Sequence, residues 1–280
     1  MRTVILRIVA LTLVIQLGCA RTPGTVRVNP TEGLEYVWIP GGSFSMGSDP
    51  GNGCKENEAP KHRVTVSKGF WLGRTEVTVG AYKRFVSATG HSMPSETGFK
   101  NERMVVPNFN PGWQYDNHPM VNVTWSDAKA YCEWSGGRLP TEAEWEHAAR
   151  GGKEGLKFPW GNRLTHDQAN YGKDDESGGH AEGRDQWRYT APVASFLPNG
   201  FGLYDMAGNV HEWIADWYDE KYYGKSPLRD PTGPSAGEMK VNRGGSWVCD
   251  PGDLRLCYRG RLEPNRATNT LGIRCLREAR

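Results

Sequence analysis

From Lys153 to Arg280 the chain carries almost no helical periodicity. Glycines and prolines break up the apolar residues, so no stripe forms that a helix could bury. A stretch of this length without regular elements is uncommon in a compact domain unless something else holds it. Bound cations and disulfides are the usual means. Composition sharpens the constraint. Glycine accounts for 35 of the 280 residues and proline for 18, with glycine well above its usual share of about 7%. A helical bundle is excluded, because helix interiors tolerate neither residue in such numbers. Disorder and collagen are excluded as well. Trp, Tyr and Phe make up 11% of the chain, ample for a core, and no glycine triplet repeats. What remains is a loop-rich globular protein with an aromatic core, in one large domain or two small ones.

The helices expected are local and come earlier. Thr78 caps a helix over Val79 to Ala88 that Gly90 stops. Trp125 to Trp134 forms a second, with Ser126 as cap and Gly136-Gly137 as stop. Thr141 and Glu144 make a capping box for a third, ending at Arg150. Tyr36 to Gly47 reads as a strand, a glycine turn and a second strand. Arg63 to Val66 alternates like a strand, and Gly69 to Val77 is extended. Residues 48–61 read as a polar loop holding Cys54, and residues 91–117 as irregular and polar.

The N-terminus reads as a sorting signal. Arg2 and Arg7 precede the apolar run Ile8 to Gly18, which at 11 residues is shorter than the roughly 20 a spanning helix needs. Residues 1–18 are thus expected to be a signal peptide of lipoprotein type. Leu17-Gly18-Cys19 resembles a lipoprotein cleavage site, which implies a lipid on Cys19, membrane anchoring and export. Gln16 departs from that pattern, and ordinary cleavage near Ala20 is the alternative. Residues 19–33 read as a tether and 34–280 as the domain. The formal charge of +2 falls to zero once Arg2 and Arg7 are set aside. No basic stripe is visible, which argues against nucleic acid as a partner.

Motifs spread along the chain identify a resemblance. They begin with Ile39-Pro-Gly-Gly-Ser-Phe-Ser-Met-Gly47, Glu76-Val-Thr78 and His118-Pro-Met-Val-Asn-Val-Thr-Trp125. Gly137-Arg-Leu-Pro-Thr-Glu-Ala-Glu-Trp-Glu146, Phe158-Pro-Trp-Gly-Asn162 and Asn199-Gly-Phe-Gly-Leu-Tyr-Asp-Met-Ala-Gly-Asn209 follow. Arg243-Gly-Gly-Ser-Trp247 and Leu271-Gly-Ile-Arg274 complete the series. In this order they resemble the formylglycine-generating enzyme, or sulfatase-modifying factor, superfamily. The resemblance implies an α+β fold: a single C-type-lectin-like domain with little regular secondary structure. Membership leaves function open, since the superfamily holds oxidases, sulfoxide-forming enzymes, pigment-maturation proteins and binding domains. The site must decide.

In the oxidases, two cysteines after the Gly-Gly-Ser segment bind Cu(I), a soft ion suited to thiolates. Cys249 and Cys257 match their contexts, and Ser246 matches a serine that orients oxygen or substrate. The spacing departs from the family: seven residues separate the cysteines here, against four in the oxidases. A turn at Pro251-Gly252 would let the two still face each other. Three readings stay open for the pair: a copper or redox site, a structural disulfide common in exported proteins, or two unrelated thiols. Ser246 reads equally as a turn residue. Cys132 and Cys275 match a family disulfide. Such a staple stabilises by about 4–5 kcal/mol in the chain-entropy account. Cys54 is left over and reads as a free thiol in a loop.

The resemblance also implies calcium, which takes six to eight oxygen ligands. One site uses the side chains of Asp205 and Glu212 with the carbonyls of Gly208 and Val210. A second uses Asn170, the carbonyl of Tyr171, Asp185 and the carbonyl of Trp187. Each carboxylate reads otherwise as a solvated loop residue or a cap. Glu76 falls near the oxidase metal site, or serves structure alone. The seven histidines (His62, His91, His118, His147, His166, His180 and His211) form no paired ligand spacing.

The leading expectation is therefore an exported copper- and oxygen-dependent oxidase acting on a cysteine of a protein substrate such as a sulfatase. The alternative is a non-catalytic lectin-like binding or assembly lipoprotein. There, Cys249 and Cys257 are bridged and the loops near 91–117 and 172–188 display a ligand surface. A maturation enzyme for another secreted substrate is a further alternative.

Overall fold

The computed structural model describes residues 21–49, 51, 53–96, 110–172 and 180–279. The signal segment and Cys19 lie outside the described residues. So do large parts of the two loops expected to display a ligand. Among the described residues, ten short strands and three α-helices form one α+β domain with little regular structure. Strands β1 (Val26–Val28), β2 (Glu35–Ile39), β5 (Phe70–Gly73) and β10 (Leu276–Glu278) make an antiparallel sheet in the order β1-β2-β5-β10. The first and last described strands thus form the two edges of one sheet. Strands β3 (Gly42–Met46) and β4 (His62–Val66) pair separately. The third sheet runs β8 (Gly260–Leu262), β7 (Lys240–Arg243), β6 (His211–Trp217) and β9 (Leu271–Gly272), with only β6 and β9 parallel.

Strand alternation distributes the aromatic side chains between two cores. In β2, Tyr36 and Trp38 enter one core while Val37 and Ile39 enter the other. Trp213 and Ile214 of β6 divide in the same way, as a period of two demands. Helices α1 (Val79–Thr89) and α2 (Trp125–Trp134) cover the first core, and α3 (Glu142–Ala149) covers the second. Thr78 caps α1 by accepting from the amide of Ala81, and Gly90 closes it with φ 73°. Thr141 and Glu144 form the expected box on α3.

Two expectations need correction. The cap of α2 is Thr124, not Ser126. Its hydroxyl accepts from the Asp127 amide while the Asp127 carboxylate accepts from the Thr124 amide. This reciprocal pair satisfies two backbone donors that Ser126, already inside the helix, cannot reach. The segment expected as a tether is also part of the domain from about residue 22. Strand β1 pairs with β2. Glu32 is fully buried, accepting from the Asn29 amide side chain and from the hydroxyls of Tyr36 and Tyr131. A buried carboxylate needs such donors, and they tie the segment to α2.

The expected staple is present. Cys132 of α2 is bonded to Cys275 beside β10, 143 residues away. Among the described residues, no helix is long and apolar enough to cross a membrane.

Candidate active site

The site is built where β7 ends. Gly244 and Gly245 follow Arg243 with φ of 97° and 76°, a backbone that side chains other than glycine rarely adopt. A Cβ at Gly245 would also meet Leu254 at 2.9 Å. This turn delivers Ser246, Trp247 and Cys249. Trp247 is pinned through its amide to the Asn209 carbonyl and through its indole to the Asn269 carbonyl. Ser246 is fully buried, with Oγ 3.2 Å from the Cys249 sulfur.

Cys249 has a second neighbour that paired-histidine spacing could not reveal. His211 opens β6, and its Nε2 lies 3.3 Å from the Cys249 sulfur. Burial pushes His211 down to about 4, against weaker opposition from Asp253 and the Arg243 main chain. Burial likewise pushes the Cys249 thiol up to about 11. At neutral pH the pair is therefore a thiol against a neutral imidazole. The proton therefore rests on sulfur, and it would pass to the neutral ring nitrogen only once a cation bound at the sulfur lowers the thiol.

Cys257 has different company. The chain turns at Pro251–Leu254 and then presents Arg255, whose guanidinium forks onto the Glu58 carboxylate at 2.5 and 3.0 Å. The Cys257 sulfur lies 3.4 Å from Glu58 Oε2, 3.2 Å from Arg255 Nη1 and 3.5 Å from the Cys54 sulfur. Burial and the Glu58 charge push its thiol well up, with Arg255 opposing. The two family cysteines thus each have their own set of contacts. The sulfur touching Cys257 belongs to Cys54, the residue expected to stand alone. Cys54, Cys249 and Cys257 are all unbridged. A cleft of about 400 Å³ opens onto Cys54 and Cys257, bordered by Lys61, Arg150, Lys157 and Arg255.

Arg243 underlies this region. It is fully buried and donates to the carbonyls of Leu256 and Tyr258, the residues on either side of Cys257, at 2.6 and 2.7 Å. Its other contacts are Glu142 and Glu146 of α3, and Arg259 forks onto Glu142 from the other side. The cysteine segment therefore sits on a buried ionic frame anchored in a helix.

At the expected calcium positions Glu212, Asn170 and Asp185 are buried and Asp205 is half-buried. Asp205, Glu212 and Glu76 gather around Arg274, which bonds Glu212 at 2.7 Å. Burial pushes Asp205 up to about 6 and Glu76 well up. Three carboxylates against one guanidinium leave an excess of negative charge that a cation would balance. Glu212 already accepts from Arg274 and from the Trp145 indole, which leaves less of it for a cation. Glu76 accepts from Asn209 and from the Val210 amide, so it belongs to this cluster and not to the cysteines. At the second position Asn170 Oδ1 is buried without a partner, the kind of orphaned acceptor a cation satisfies. Asp185 accepts from His166 and from the amides of Tyr171 and Trp187, and burial pushes it up to about 7. The second position thus keeps an acceptor open for an oxygen-seeking cation, whereas at the first both Glu212 oxygens already have donors.

This fold and this site define a class. A profile of the sulfatase-modifying factor enzyme 1-like domain matches residues 22–279. The chain belongs to that family. It is similar to the formylglycine-generating enzyme of Streptomyces coelicolor, at 35% identity over 94% of this chain and 95% of the relative. It is also 34% identical to the inactive Cα-formylglycine-generating enzyme 2 of Mus musculus, over 95% of this chain and 89% of that protein. Among solved structures it is similar to PvdO from Pseudomonas aeruginosa. That match has a TM-score of 0.78 and 32% identity, covering 93% of this chain and all of that one. Overall identity therefore does not separate active from inactive relatives, and the cysteines must do so.

Proposed function

We propose that this chain is an oxidase of the formylglycine-generating type, acting on a cysteine of a protein substrate such as a sulfatase. The observation that carries it is the setting of the two family cysteines. Cys249 lies against an imidazole and the Ser246 hydroxyl, and Cys257 lies at a cleft beside Arg255. Both donors are soft sulfurs, which suit Cu(I). Bound there, copper would supply oxygen activation. The protein's own groups do the rest. His211 Nε2 accepts the Cys249 proton, and Ser246 Oγ orients the sulfur. Arg255 stabilises negative charge at Cys257, and the cleft admits an extended substrate segment. Calcium at the two carboxylate positions would hold the loops that carry these groups. Export and a lipid on Cys19 belong to the same proposal.

One observation favours a second reading, a non-catalytic binding or assembly lipoprotein. Cys257 touches Cys54 instead of Cys249. A Cu(I) titration of the fully reduced chain separates the two readings. The oxidase reading expects a single equivalent of Cu(I), lost in Cys249→Ser and in Cys257→Ser. Absence of uptake by the reduced wild type would sink it and leave the binding reading. Uptake without aldehyde formation on any Cys-x-Pro-x-Arg peptide would point to a different secreted substrate.

A further inference from the structure

Cys54 and Cys257 are 203 residues apart in the chain, yet their sulfurs are 3.5 Å apart. Neither is bridged elsewhere. Cys54 is partly exposed on the loop after β3, and Cys257 is buried beneath it. Both border the same cleft. A third potential ligand, Glu58, completes a cluster that could be mistaken for a cation site. Its two oxygens, however, are held by Arg255, and the same guanidinium lies 3.2 Å from the Cys257 sulfur. Arg255 already neutralises the Glu58 carboxylate, so that carboxylate is not open to a cation shared with Cys54 and Cys257. What the geometry leaves available is chemistry between the two sulfurs.

We propose that Cys54 and Cys257 form a reversible disulfide that joins the loop after β3 to the segment before β8. The oxidant is an external disulfide, RSSR, of a small thiol or a partner protein. Cys54, the more exposed sulfur, loses its proton and attacks RSSR, giving a mixed disulfide and releasing one RSH. Cys257 then gives its proton to Glu58 Oε2, which already accepts its S–H, and attacks the Cys54 sulfur. The second RSH leaves with a proton. Two protein thiols are oxidised and one external disulfide is reduced to two thiols. A consequence rests on the copper reading above. In the bridged state Cys257 has no thiolate to offer a metal, so the bond would gate the site.

The test uses the full chain equilibrated with mixtures of reduced and oxidised glutathione. It is then acid-quenched, denatured, alkylated and digested without reduction. The expected result is a joined Cys54–Cys257 peptide pair at the oxidising end, with loss of alkylation at those two positions alone. Cys249 stays alkylated throughout. Full alkylation of Cys54 and Cys257 in every mixture would overturn the proposal, as would a Cys249–Cys257 pair. Cys54→Ser is a second check, since its position is partly exposed and the variant should keep the Cys132–Cys275 bond. Cys257 should then alkylate in every mixture, and continued protection contradicts the proposal. Zinc held by the reduced wild type and lost in Cys54→Ser would overturn it in favour of a cation site. For the gating consequence, Cys54→Ser should keep under oxidising mixtures the Cu(I) uptake that wild type loses. If the reduced wild type takes up no Cu(I), the oxidase reading fails while the peptide map still decides the disulfide.

Discussion

Arg243 shows how one buried charge organises the cysteine segment. Its guanidinium meets Glu142, Glu146 and the two carbonyls around Cys257. Replacing it with Met leaves those carboxylates and carbonyls short of donors, and removing one partner of a buried pair costs about 3–5 kcal/mol. Arg243→Met is therefore expected to lower stability by that amount in urea melts and to speed alkylation of Cys257. A loss under about 1 kcal/mol would contradict a structural role. His147 supplies a pH signature. It is buried, its Nε2 bonds the Pro40 carbonyl, and burial lowers its pKa. The unfolded chain binds a proton near pH 6.5 while the folded chain resists until lower pH, so stability falls as pH drops below about 6.5. The drop in urea midpoint between pH 7 and pH 5 should shrink in His147→Gln. An unchanged drop would remove His147 from the account. Two site residues were hidden at this scale. The odd cysteine count signalled Cys54 but not its partner, because a contact across 203 residues leaves no local trace. His211 lies between the expected calcium positions Val210 and Glu212, yet it meets a cysteine and not another histidine, so ligand spacing passed over it.

Elements were legible in proportion to how local their causes are. The helices announced themselves through caps and stops that act within one turn, as with Thr141 and Glu144. The Ser126 expectation failed by two residues, because several hydroxyls in one stretch compete for the cap and tertiary position decides. The strands were harder. Val26–Val28 is three residues long in a segment rich in turn formers, and only its pairing with β2 makes it a strand. The element most dependent on a distant partner is α2, tied to β10 by Cys132–Cys275. Removing the bond as Cys132→Ala/Cys275→Ala should cost about 4–5 kcal/mol, if release of a loop this long acts mainly on the unfolded chain. Chemical denaturation under non-reducing conditions measures it. A loss near zero would show that burial of the two side chains, and not the bond, holds α2 against the sheet.

At the scale of the whole molecule, the loop-rich C-terminal half is ordered by contacts rather than by periodicity. Arg274, Arg243 and Arg259 each sit fully buried among carboxylates and carbonyls. The staple and the carboxylate clusters add to them. This arrangement brings His211, Ser246 and Cys249 together from two strand ends, and Cys54, Glu58 and Cys257 together from opposite parts of the chain. The class of protein was readable from motif order. The pairing of its thiols was not, because it depends on where the turn at Pro251–Leu254 sends the chain. The most direct test of the central claim is turnover. Reduced, copper-loaded protein is incubated in air with a Cys-x-Pro-x-Arg peptide, and aldehyde is captured with a hydrazide and read by mass spectrometry. The account predicts aldehyde at the peptide cysteine, lost in Cys249→Ser and in Cys257→Ser. Copper-loaded protein that leaves the peptide cysteine unchanged, or variants that make aldehyde as fast as wild type, would contradict it.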